Sequence, residues 1–193
     1  KTSTRLPYML VTGDIPVLEN TTDKNEQITV DIEYVNVQEP ELNFTMEGAA
    51  MRPQGTSSMG YPKKNFRIYT LELPNTVLKN YLGNVVTNKL YAFRKGAQPV
   101  GCWCLKADYA ESSGTHNTAI ARLWGNALKN VNIEINGKKE YVCMTNAQKA
   151  AAANNYPYDV RTTIDGFPIL LFYRKNKQDI PIFLGKYNFN NDK

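Results

Sequence analysis

Histidine and cysteine are scarce: 193 residues include one His, His116, and three Cys, at positions 102, 104 and 143. So few imidazoles and thiols leave a structural zinc site short of ligands. Three cysteines are also an odd, sparse set, unlike a disulfide framework, and read as small, partly buried hydrophobes in a reducing compartment. Long apolar runs are missing too. None approaches the roughly 18 to 20 residues that cross a bilayer, and Lys1 to Arg5 lead into no signal-type stretch, so a soluble chain with no membrane partner is expected. Nor is there a strong charge of one sign. Twenty-three basic side chains against eighteen acidic ones leave +5, and the isoelectric point is near 9.0. The adjacent basic pairs Lys63-Lys64, Arg94-Lys95, Lys138-Lys139 and Arg174-Lys175 are scattered, without the aromatic ladders or arginine stripes of a nucleic-acid surface. Nucleic acid is therefore an unlikely partner by composition, and internal repeats are absent as well.

What is present is a globular composition, 42% hydrophobic and 21% charged, sufficient for a buried core. Ile28, Val30, Ile32 and Tyr34 alternate with Thr29, Asp31 and Glu33, the period of a half-buried strand. Tyr8 to Val11 reads as an earlier strand, Asn43 to Met51 as one pairing back, and Lys63 to Leu73 as another, with Lys64 on the face of Phe66 and Ile68. Asn75 can cap a short helix ending before Gly83, and two strands follow near Lys89 to Phe93 and Val100 to Leu105. Thr115 to Lys129 carries the clearest helical pattern: Ile120, Leu123, Trp124, Ala127 and Leu128 form one apolar face expected to pack on the sheet. Asn136-Gly137 predicts a tight hairpin, Ala147 to Ala153 a helix, and Pro168 to Tyr173 with Ile180 to Phe189 a last hairpin. The expected fold class is α+β, a mainly antiparallel sheet with one long packed helix. An N-terminal β segment over 1–46 is expected to form one compact unit with 47–193.

The most unusual stretch runs from Gln54 to Ile68. Gly55, Thr56, Ser57 and Ser58 form a small, hydroxyl-rich loop, and Lys63 and Lys64 open the strand after it. Small residues let backbone amides and hydroxyls approach an anion closely, and a lysine on the next strand can neutralise phosphate charge. An ordinary solvated turn has the same residue types. His116, beside a helix start, reads as a capping or surface residue, because no nucleophile at a recognised spacing accompanies it.

The order Gly-Thr-Ser-Ser, then Pro62-Lys63-Lys64, an aromatic and Arg67 resembles the opening motif of the CotH protein kinase family. Leu105 to Ser113 resembles that family's strand-into-helix segment, and Phe183 to Phe189 its later Gly-x-Tyr strand. The three segments fall in the family's order from about Glu47 onward. Gln54 to Ser58 and Tyr187 to Lys193 are most similar to CotH-like domains of phage virion and tail proteins.

The resemblance implies the N-terminal part of an atypical kinase fold, with Lys63 or Lys64, the Gly55–Ser58 loop and Glu111 forming a site for nucleotide phosphates. Glu111 would stand where the family has an aspartate, and Gln54 where it has an arginine. Active members use ATP with a divalent metal such as Mg to phosphorylate serine or threonine, through carboxylates expected beyond Lys193. Two functions follow as expectations. One is a structural and interaction module of a phage virion or tail, contacting other structural proteins and assembled in the bacterial cytoplasm. The other is part of an active ATP-dependent serine/threonine kinase of the bacterial cytoplasm, encoded by a longer gene.

Overall fold

The structure, a computed structural model, describes residues 5–69, 100–110, 113–114, 116–128, 132–135, 138–141, 164 and 166–191. Seven strands close into a barrel in the order β1 (Tyr8–Thr12), β2 (Ile28–Val35), β3 (Phe44–Gln54), β4 (Asn65–Tyr69), β5 (Cys102–Lys106), β9 (Ile182–Asn191) and β8 (Gly166–Arg174). Neighbours pair antiparallel except at the seam, where β1 runs parallel to β8, Tyr8 opposite Leu170 and Thr12 opposite Arg174. Arg174 ties this seam: its guanidinium donates to Thr12 Oγ1 at 3.0 Å and to Glu33 Oε1 at 2.7 Å. A separate two-stranded hairpin joins β6 (Asn132–Ile135) to β7 (Lys138–Tyr141), as Asn136-Gly137 leads one to expect.

The alternating strands turn one side inward. Met9 and Val11, Val30, Ile32 and Tyr34, Phe66 and Ile68, Trp103 and Leu105, Ile169 and Leu171, and Tyr187 and Phe189 are all buried in one cluster. Aromatic rings fill the middle, with Trp103 5.6 Å from Phe189 and 5.8 Å from Phe44. A small barrel filled by its own side chains is a packed core rather than a channel. One end is plugged by a short helix, α1 (Ile15–Asn20), whose Ile15 and Leu18 are fully buried in the same cluster. Pro16 suits the first turn of that helix, where its missing N–H removes no bond.

The expected α+β class, with a long helix packed across a sheet in the manner of the N-terminal part of an atypical kinase fold, is corrected by this closure into a barrel. An open sheet needs a helix to cover its apolar face, whereas a barrel covers that face with its own opposite wall. The long helix exists, as α2 (His116–Leu128), but its orientation differs from expectation. Among its described side chains and positions the buried ones are Thr118 and Gly125, while Ile120, Leu123 and Trp124 are 52%, 70% and 58% exposed. The boundary at 46/47 falls inside β3, so both parts of the chain build the same wall. The predicted helices at 75–83 and 147–153 and the strand at 89–93 lie outside the described residues. Cys102 is half-buried and Cys104 is buried.

Candidate functional site

The end plugged by α1 also gathers the loop after β3, the start of β4 and the exit of β5. Gly55 ends β3 with φ +117, a conformation open to glycine, and a Cβ there would lie 2.0 Å from Ser58 Oγ. The chain then makes a 3-10 turn over Ser57–Gly60, in which the Met59 amide donates to Thr56 O and the Tyr61 amide to Ser58 O. Asn65 fixes this turn to the barrel. Its Nδ2 donates to Ser58 Oγ at 3.2 Å, and its Oδ1 accepts the Ala107 amide at 2.7 Å. Gln54 accepts a hydrogen bond from Lys106 Nζ at 2.5 Å. An arginine in its place would set a second cation against Lys106.

The two adjacent lysines diverge. Lys63 Nζ donates to Ala107 O at 3.2 Å and to Lys186 O at 2.5 Å, and it sits 4.3 Å from the centre of the Tyr187 ring. Its chain lies along Gly185, whose φ of +130 accompanies the register shift between β8 and β9. Burial pushes the Lys63 amine below its ordinary pKa, nearby Lys186 adds to this, and Asp108 opposes it. Lys64 instead donates to Met59 O within its own loop and acts electrostatically on Glu19 of α1. Burial raises the Glu19 carboxyl, and Lys64 lowers it.

Asp108 supplies the acidic group beside Lys63. Its backbone takes φ +45, a left-handed conformation that costs a non-glycine residue on the order of 1 kcal/mol, though aspartate tolerates it better than most. Two amides hold its carboxylate: Asn188 donates to Oδ2, and Asn117 of α2 reaches Oδ1 at 3.4 Å. Asn188 is buried on β9, and its Nδ2 also donates to Gly114 O at 2.8 Å. Lys186 Nζ donates to Ser113 O at 3.0 Å, so two residues of β9 tie the segment before α2 to the barrel wall.

These residues border a cleft of about 230 Å³ lined by Ser58, Tyr61, Lys63, Asn65, Asp108, Tyr109, Ala110 and Asn117. Of the hydroxyl-rich loop only Ser58 lines it, while Thr56 and Ser57 are exposed outside and Gly55 shapes the turn. Lys63 rather than Lys64 faces the cleft, and Glu111 lies outside the described residues. Asp108, Asn117 and the tyrosines were not singled out by sequence reasoning. The Ala107-Asp108-Tyr109 segment follows an apolar strand, which signals only a turn; its partners on β9 are distant in the chain. No group of three or more His, Cys, Asp or Glu suited to a metal occurs among the described residues. No protein-family model matches the chain, and no curated protein is significantly similar to it.

Proposed function

We propose that this chain is a structural and interaction module of a larger assembly, a phage virion or tail, whose partners are other structural proteins of that particle. The observation that carries this reading is α2. Ile120, Leu123 and Trp124 form one face of the helix, and all three are more than half exposed. Contiguous apolar surface of this kind marks contact with another protein. The assignment to a phage particle, assembled in the bacterial cytoplasm, rests on the likeness of Gln54–Ser58 and Tyr187–Lys193 to CotH-like phage domains. Placing a photo-crosslinking residue at position 123 in the parent particle tests it. A crosslink to another structural protein of the particle is expected; a position 123 that reacts with solvent alone in the assembled particle overturns the reading.

A second reading is the N-terminal part of an ATP- and metal-dependent serine/threonine kinase. Its support is the meeting of Ser58, Lys63 and Asp108 at one cleft. Titration with ATP and magnesium at millimolar concentration, compared with Lys63→Ala, decides whether nucleotide binds there.

A further inference from the structure

The rim cleft has a chemistry that neither reading uses. Tyr61 and Tyr109 form one wall, with ring centres 5.4 Å apart and planes inclined by 33°. They leave 40% and 52% of their surface in solvent although both are large apolar side chains. Below them Asp108 is held in one orientation by Asn188 and Asn117. Each of its oxygens accepts one of these bonds, and a carboxylate offers about four lone-pair sites, so acceptor capacity remains toward the opening. Two of the three N–H groups of Lys63 meet backbone carbonyls and its charge rests on the Tyr187 ring, which leaves a single N–H for the cleft.

The cleft therefore combines an aromatic wall with one carboxylate held in place. That suits a neutral ligand with an aliphatic C–H face and several hydroxyl donors better than it suits a phosphate. A volume of about 230 Å³ is below the roughly 300–1,000 Å³ of sites for drug-sized ligands, and it fits one sugar ring. We propose that the cleft between Tyr109 and Asp108 binds a neutral pyranose residue of a glycan. The ring's C–H face lies on the tyrosines, and neighbouring hydroxyls donate to the Asp108 carboxylate. This goes beyond the assembly reading and stands apart from the α2 face.

Saturation-transfer NMR on the full chain, with D-glucose, D-galactose and N-acetyl-D-glucosamine each at millimolar concentration, tests the proposal. Transfer to the ring protons of at least one of the three is expected, with loss in Tyr109→Ala and in Asp108→Asn. Asparagine tolerates a left-handed backbone as well as aspartate does, and Tyr109 is exposed, so both variants keep the barrel; an unchanged thermal unfolding midpoint by circular dichroism verifies this. Leu123→Ser, on the assembly face, leaves the transfer unchanged. No transfer from any of the three sugars, transfer that survives both variants, or binding of ATP alone overturns the proposal.

Discussion

Two helices among the described residues make opposite use of their apolar residues. α1 has six residues and buries Ile15 and Leu18 completely in the barrel end. α2 has thirteen, with a regular apolar stripe, yet turns Thr118 and Gly125 inward and leaves Ile120, Leu123 and Trp124 in water. Periodicity shows that a helix has an apolar face; it does not show what covers that face. Here the barrel interior needs only a short plug, because its walls already shield one another, and the longer stripe stays exposed.

The largest expected effect tests the plug. Leu18→Ala removes a fully buried side chain from the barrel end and should lower unfolding free energy by about 2–5 kcal/mol in denaturant titration. A loss below about 0.5 kcal/mol, the range of surface substitutions, would mean that α1 does not close the core.

A smaller effect comes from Glu19, on the same helix. Burial raises its folded-state pKa above 4.5, with Lys64 pulling the other way. The folded state thus holds the proton more tightly than the unfolded one. The stabilisation is complete below the unfolded value and disappears as pH rises through the folded one. Glu19→Gln should abolish this decline, so variant and wild type diverge above pH 4.5 and then run parallel. Parallel curves throughout would show that the carboxyl is solvated.

The smallest effect is expected on α2. Leu123→Ser should change monomer stability by no more than about 0.5 kcal/mol, because the side chain is 70% exposed. A loss comparable to that of Leu18→Ala would place Leu123 in a core and remove the contrast between the helices.

Much of the barrel was legible beforehand. The alternation from Ile28 to Tyr34, the strand around Phe66 and Ile68, and the final hairpin all follow from period-two burial and turn residues. α1 was not anticipated, because Ile15-Pro16-Val17-Leu18 is too short to show a helical period. At the site, the loop around Ser58 and the pair Lys63-Lys64 were visible by composition. Which lysine faces the cleft was not. Lys64 follows the alternation of Phe66 and Ile68 in sequence, but it precedes β4 and turns back to Met59 in its own loop. Lys63 is drawn instead to the carbonyls of Ala107 and Lys186, the latter 123 positions away.

The amino-acid order by itself determined which residues form strands, which side of each is apolar, and that 116–128 is a helix, because these depend on neighbours within a few positions. Closure of the sheet by a parallel seam between β1 and β8, the outward turn of the α2 stripe, and the meeting of Lys63, Asp108 and Asn188 were decided only in three dimensions. The seam and the meeting of Lys63, Asp108 and Asn188 depend on groups more than forty positions apart, which local sequence does not encode.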